Sequence, residues 1–281
     1  MKLRIATCVT LPEVDVDAAP LAAALTAAGI TATLVAWDDP AADWDAPVPT
    51  VIRSTWNYAL DVERYLAWID RASAAAPLFN PPAVVRGNVH KRYLLALAAR
   101  GVPVVPTTLV ERGGSYPLAS NDAPRIVIKP EVGAGSLGTR VFAPDDPAAR
   151  AHLAALTARG AALIQPYVSS VDDYGERSLV WIDGALSHAI RKSPRFAGDS
   201  EQIDGPFPIA DDEREVAEAA LAPHRDVLYG RVDLARDDAG RPMVMELELV
   251  EPSLFFARQP GSAERYVAGL QRRLRADAPL T

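Results

Sequence analysis

The sequence predicts an α/β chain of three lobes: a parallel α/β lobe, a small central lobe with a glycine-rich flap, and a C-terminal antiparallel sheet. Three observations carry this. Strands and helices alternate over residues 3–75, the pattern of a parallel sheet covered by helices. A strand, a glycine turn and a return strand follow at 126–142. Two strands, 229–236 and 243–250, form an acidic pair joined at Asp237-Asp238-Ala239-Gly240.

In the first lobe, taken as 1–87, Leu3–Val9 reads as a strand and Pro20–Ala28 as a helix closed by Gly29. Thr31–Trp37 and Thr50–Thr55 are further strands. Asp61 is placed to cap a helix reaching Ala75, with Val62, Tyr65, Leu66 and Ile69 on one face. Ligands of such sheets sit beyond the carboxyl ends of the strands. Arg53, Ser54, Trp56 and Tyr58 stand at one of those ends. They are candidate substrate contacts, with a structural turn bearing an ordinary surface arginine as the plainer alternative.

The central lobe, 88–168, opens with a helix over Lys91–Arg100. Val102–Val110 reads as extended, and Pro103 and Pro106 place it at an edge or in a linker. Ile126–Lys129 and Thr139–Phe142 flank the flap, Pro147 opens a helix that Gly160 closes, and Ala162–Gln165 is a strand. In the flap, Gly133, Gly135, Ser136 and Gly138 let backbone N–H groups approach an anion closely. Lys129 adds a point charge suited to phosphate. The spelling Gly133-x-Gly135-x-x-Gly138 matches the dinucleotide fingerprint, but that motif opens a helix. Here Thr139-Arg140-Val141-Phe142 reads as a strand, and Thr139-Arg140 stands where a P-loop needs Lys-Ser/Thr.

The last lobe, 169–281, carries the hairpin signal Asp183-Gly184 between the strands Ser178–Ile182 and Leu186–Arg191. A helix follows from about Asp212, broken near Pro223, and a final helix runs from Ser262 to Arg275. In the acidic strand, period-two alternation puts Glu246 and Glu248 on one face and Met243, Met245, Leu247 and Leu249 on the other. Asp233 is available from the preceding strand. Neighbouring carboxylates repel unless a cation neutralises them, and hard oxygen ligands of this kind suit Mg²⁺ beside nucleotide phosphates.

Composition narrows the function. A formal net charge of −7 over 281 residues argues against a general nucleic-acid binder. The one cysteine, Cys8, excludes an internal disulfide and a cysteine-built zinc cage, and sits in an apolar run as a small core residue. The histidines show no metal-ligand spacing, and His188 on its strand reads as a core histidine. No apolar run approaches the ~20 residues of a membrane span. Met1-Lys2-Leu3-Arg4-Ile5 lacks the apolar segment of a signal peptide, so a cytoplasmic protein is expected.

In their order and spacing, these elements resemble the ATP-grasp superfamily of carboxylate–amine ligases, from about Asn88 to Ser253 with a compatible first lobe. The resemblance implies ATP held between the last two lobes, with Mg²⁺. Lys91 and Lys129 sit where the family places its phosphate lysines, and 133–138 where it places the flap. Gln165, Tyr167 and Val168 match the adenine hinge, and Asp172 or Asp173 falls at the ribose position. Arg191 and Lys192 resemble the basic pair facing the reacting carboxyl and the γ-phosphate. Asp233, Glu246 and Glu248 match the magnesium ligands. Two departures stand out: Glu248 replaces a common Asn, with Glu251 as a further candidate ligand, and Leu179 stands where an arginine is frequent.

The phrases at 53–58, 174–179, 188–195 and 245–254 are similar to those of the subgroup that closes the ring of D-cycloserine, an antibiotic, from O-ureido-D-serine. This resemblance implies an ATP-dependent cyclo-ligase working through an acyl phosphate on a small amino-acid-like substrate. Glu176 is then an orienting residue or a contact to a substrate amine, or else a surface salt bridge. An intermolecular ligase of the glutathione-synthetase type is the alternative, and a non-catalytic nucleotide-binding module the third. Homodimers are common in the superfamily and are the expectation for assembly.

Overall fold

The computed structural model describes residues 2–193 and 202–276, so Pro194 and Arg195 of the 188–195 phrase lie outside the described residues. The chain begins β1 (Lys2–Thr7), α1 (Ala18–Ala27), β2 (Thr31–Ala36), β3 (Thr50–Ser54), α2 (Val62–Ala75), β4 (Leu78–Phe79) and α3 (Pro82–Asn88). The four strands form a parallel sheet in the order β2-β1-β3-β4. Asp61 caps α2 by accepting the Arg64 N–H at 3.0 Å, as its position predicts. The buried stripe of α2 is Tyr65, Trp68, Ile69 and Ala72, while Val62 and Leu66 flank it half-buried.

Next come α4 (Tyr93–Ala99), β5 (Thr108–Val110), β6 (Ile126–Pro130), β7 (Arg140–Phe142), α5 (Pro147–Thr157) and β8 (Ala162–Pro166). Their strands make an antiparallel sheet, β5-β8-β6-β7. The 133–138 loop joins β6 directly to β7, which excludes the dinucleotide fold of the same spelling. Within it Gly135 and Ser136 both have positive φ, at 58° and 61°. Only 108–110 of the extended 102–110 stretch joins this sheet. Its first part runs beside the acidic strand instead, with Val105 N–H donating to Val244 O at 3.0 Å.

The remainder is α6 (Ser170–Asp173), β9 (Glu176–Ile182), β10 (Ala185–Lys192), β11 (Ile203–Phe207), α7 (Asp211–Leu221), β12 (Tyr229–Arg236), β13 (Pro242–Glu248) and α8 (Ser262–Ala276). The third sheet, β11-β10-β9-β12-β13, is antiparallel throughout. Asp183 and Gly184 turn from β9 to β10 with φ of 48° and 86°, the left-handed pair a two-residue hairpin requires.

The expected alternation of β13 breaks once. Asp233 pairs with Glu246, but Leu234 pairs with Val244, so Met245 is an extra residue in a bulge. Val244, rather than Met245, is therefore buried with Leu247 and Leu249, and Met243 and Met245 are half-exposed.

The first and third sheets share a core. Leu3, Ile5, Leu21, Val180, Ile182, Tyr266 and Leu270 belong to one buried cluster. Polar contacts lock the register between them. Asn80 Nδ2 donates to Tyr229 O and Leu249 O at 2.7 and 2.9 Å. Asn88 Nδ2 donates to Leu247 O at 2.8 Å, and its Oδ1 accepts Leu249 N–H at 2.7 Å. These two amides finish the hydrogen bonding that β13 leaves open and hold the acidic strand in place.

Candidate active site

The site is built where β6, β9, β10, β12 and β13 bring charged side chains together. Asp233 and Glu246 face each other across the β12–β13 pair, and Arg231 faces Glu248. Glu246 Oε1 lies 3.1 Å from Lys129 Nζ and 3.3 Å from Lys91 Nζ. Lys129 comes from β6, and Lys91 from the turn before α4. Two phosphate-type lysines distant in sequence thus meet one carboxylate. Burial pushes the Glu246 carboxyl up, but the two ammonium groups outweigh it and hold it at about 2.

Asp233 is 1% exposed. It accepts from Arg231 Nε and Nη2, both at 2.8 Å, and from Lys192 Nζ at 2.8 Å. Burial alone would raise its pKa; these cations hold it well below the carboxylate range. Arg231 also donates to Glu248 at 2.6 Å. Lys192 is paired with Glu176 as well. Burial pushes the Glu176 carboxyl up to about 8, against the pull of Lys192.

Arg231 is the member of this cluster to which the sequence alone assigns no role. The readable signal was its i, i+2 spacing to Asp233, which puts both on one face of β12, opposite Glu248. It also explains how Glu248 can occupy a position where Asn is common: the extra negative charge meets a buried guanidinium.

The structure separates Arg191 from Lys192, which were expected to act as a pair. Adjacent residues on a strand point to opposite faces. Lys192 enters the acidic cluster, whereas Arg191 pairs with Asp204 at 3.2 Å and lies over the Phe207 ring, 5.2 Å from its centroid. Gly175 sits under this pair with φ of 83°, and a Cβ there would come within 2.6 Å of Lys192 O. Only glycine lets the chain pass so close to β10.

Arg53 is fully buried rather than at the surface. Its guanidinium donates to Asp17 at 3.0 Å and to Pro252 O at 2.9 Å. Ser54 Oγ is bonded to Thr7 Oγ1 at 2.9 Å. Trp56 and Tyr58 lie nearer the charged cluster: Trp56 Nε1 donates to Glu251 O at 3.1 Å. In the hinge, Gln165 is buried and donates to Thr107 Oγ1 at 2.8 Å, and Tyr167 N–H donates to Arg125 O at 2.9 Å. Asp172 and Asp173 are both exposed, and Asp172 is taken up by Arg125 and the Tyr167 hydroxyl.

Next to the flap, Glu131 ties down the segment that carries Lys91. Its carbonyl accepts the Lys91 N–H at 3.0 Å, and its own N–H donates to Ala161 O at 3.0 Å. Its carboxylate pairs with Arg92 and lies 3.6 Å from His90 Nδ1. Burial raises this carboxyl, but His90 and Arg92 win and place it at about 2, below the ordinary 4.5. A depressed carboxyl stabilises the fold above its unfolded pKa and loses that contribution as pH falls through the folded value. Between about pH 4.5 and 2 the unfolded chain therefore binds more protons here, and stability falls with pH. Glu131→Gln is expected to flatten this acid limb in denaturant titrations across that range; an unchanged slope would contradict the assignment.

The donor chemistry also bears on a divalent cation. Among the described residues no three His, Cys, Asp or Glu side chains converge as a ready metal cage. Mg²⁺ needs less than that, since one or two carboxylates with phosphates and waters suffice. The Glu246 and Glu248 side chains are 25% and 28% exposed and fit that description. Asp233 Oδ2 accepts from both Arg231 and Lys192, while Oδ1 accepts from Arg231 alone and keeps one acceptor site through which it could join them.

A three-sheet fold with a glycine flap, converging lysines and an acidic hairpin defines an ATP-grasp ligase. Solved structures agree at the level of fold: D-alanine--D-alanine ligase from Bacillus anthracis is similar with a TM-score of 0.73 at 15% identity, covering 98% of each chain. The RimK domain protein ATP-grasp from Sphaerobacter thermophilus gives 0.69 at 17% identity, covering 95% of this chain and 99% of that one. More specifically, a family described as the N-terminal domain of D-cycloserine synthetase DcsG matches residues 3–80. The cycloserine biosynthesis protein DcsG of Streptomyces lavendulae is 38% identical over 95% of this chain and 96% of its own length. The crystal structure of D-cycloserine synthetase DcsG matches with a TM-score of 0.88 at 37% identity, covering 98% of this chain and 100% of that one. The chain belongs to the DcsG family. Among the described residues, no helix is long and apolar enough to cross a membrane.

Proposed function

We propose that this enzyme closes O-ureido-D-serine to D-cycloserine, with ATP converted to ADP and phosphate. The substrate carboxylate takes the γ-phosphoryl group to become an acyl phosphate. The nitrogen bonded to the side-chain oxygen then attacks the acyl carbon and phosphate leaves; water then cleaves the bond between that nitrogen and the carbamoyl carbon, releasing the group as carbon dioxide and ammonia. Family membership and the converging charges of the site support this reading.

Lys91 and Lys129 would hold the phosphates beneath the 133–138 flap, turning from Glu246 to the nucleotide. Gln165, Tyr167 and Val168 line the base position, with Asp173 beside the ribose. Glu246 and Glu248 would hold Mg²⁺, which when bound neutralises phosphate oxygens. Arg231 and Lys192, fixed by Asp233, face the transferring phosphoryl group and its developing charge. Arg191 stays at the rim with Asp204 and would act on the substrate from there. The flap keeps water from the acyl phosphate. Catalysis in this scheme is positioning and charge neutralisation by preset groups.

The observation that carries the reading is the single carboxylate, Glu246, shared by two lysines from separate segments opposite the Asp233–Arg231–Lys192 cluster. A structural salt-bridge network has no need of two lysines at one half-buried acid beside a glycine flap. The test is ADP release with O-ureido-D-serine as the sole organic substrate. Release only after a second amine is added would shift the assignment to an intermolecular ligase.

A further inference from the structure

The loop after β13 carries a buried carboxylate that has no ion pair among the described residues. Glu251 is 9% exposed. Its backbone carbonyl is fixed by Trp56 Nε1, yet among the described residues its carboxylate has no cationic partner within 4 Å. The two nearest cations are committed elsewhere: Lys91 to Glu246 at 3.3 Å, and Arg231 to Asp233 and Glu248. Glu248 adds a repelling charge, and the phenols of Tyr58 and Tyr65 feel the Glu251 carboxylate from the side of the first sheet.

Burial and the Glu248 charge push the Glu251 carboxyl up to about 8, so without a ligand it holds its proton. A cation brought within contact distance would favour the charged form and gain a charge-assisted hydrogen bond. Glu251 was open at the sequence level as a further metal ligand, but its surroundings differ from those of Glu246 and Glu248. Its carbonyl accepts from Trp56 and its charge is felt by the Tyr58 phenol, and aromatic neighbours favour an ammonium group over a hydrated divalent ion. No three-acid cage includes it among the described residues.

We propose that Glu251 receives the α-ammonium group of the amino-acid substrate, beside Trp56 and Tyr58. The assignment rests on the ligase reading above and adds to it the group that selects an amine-bearing substrate. The ammonium undergoes no reaction here; it anchors one end of the molecule while the carboxylate at the same carbon meets Lys192 and Arg231. Glu251 therefore acts in binding and orientation.

The test compares O-ureido-D-serine with its desamino analogue, which has hydrogen in place of the ammonium, on the unaltered enzyme and on Glu251→Gln. The variant is expected to raise KM for O-ureido-D-serine by about tenfold or more. It should lose most of the preference over the desamino analogue and leave KM for ATP and the Mg²⁺ activation curve within about twofold. Glu251→Asp, which keeps the charge, should retain the preference with weaker binding. Undiminished preference in Glu251→Gln would overturn the proposal, as would a shift confined to the Mg²⁺ curve, the mark of a metal ligand. An unaltered enzyme that releases no ADP with O-ureido-D-serine would instead overturn the substrate reading itself, and this assignment with it.

Discussion

Lys129→Ala is expected to lower ADP release by about a hundredfold or more, the usual cost of removing a preset charge from a developing anion. Lys129 is 6% exposed and reaches Glu246 at 3.1 Å. Its ammonium is held on β6, directly before the flap, so no side chain of the flap can replace it. In the variant Glu246 keeps Lys91 alone, one cation where two balance the carboxylate. The loss should fall on kcat as well as on KM for ATP, because the charge on the transferring group grows toward the transition state. Steady-state kinetics beside a thermal melt separates this from unfolding. Turnover within about twofold of the unaltered enzyme would remove Lys129 from the site.

The second large effect is on stability. Asp17→Ala is expected to cost about 3–5 kcal/mol, the penalty of breaking a buried ion pair from one side. For a chain of this size that is a fall in Tm on the order of 10 °C. Asp17 has no exposed surface, and accepts the N–H groups of Leu254 and Phe256 at 2.5 and 2.8 Å besides the Arg53 guanidinium at 3.0 Å. Between the two N–H donors Phe255 is held at a φ of 50°. Removing the carboxylate leaves the buried guanidinium with Pro252 O and the more distant Asp15 at 3.8 Å, strands two backbone donors, and frees the loop that follows Glu251. Adding Arg53→Met should recover part of the lost Tm, since the stranded charge is then gone. A fall below about 2 °C in the single variant would show that the tie is not structural.

Arg53 illustrates where the sequence could be read and where it could not. Its position at the end of a parallel strand was legible, because strand–helix alternation over the first 75 residues leaves few other arrangements. Its partner was not. Asp17 and Pro252 are brought to it by tertiary packing, and nothing in Arg-Ser-Thr-Trp distinguishes a buried tie from a ligand contact. The β9–β10 hairpin was readable because Asp183-Gly184 fits only a left-handed turn. The acidic pair was readable as a face, but not the bulge at Met245, since one inserted residue shifts the phase without changing the composition.

Short elements escaped for related reasons. β4 is two residues long, and β11, Ile203–Phe207, contains Gly205 and Pro206, which argue against a strand by propensity. α3 opens on Pro82 without a side-chain cap and shows only seven residues of pattern. Arg191 and Lys192 were readable as a basic pair, yet strand geometry sends them to opposite faces. Lys91, Lys129 and Glu246 were each singled out, but their meeting at one carboxylate is a fact of tertiary structure alone.

The central claim is that one substrate molecule supplies both the carboxylate and the nitrogen. The enzyme should be incubated with Mg²⁺-ATP and O-ureido-D-serine alone, and ADP and ring product measured together. ADP and D-cycloserine appearing in equal amounts is the predicted result. ADP release without D-cycloserine, or none until a second amine is supplied, would contradict it.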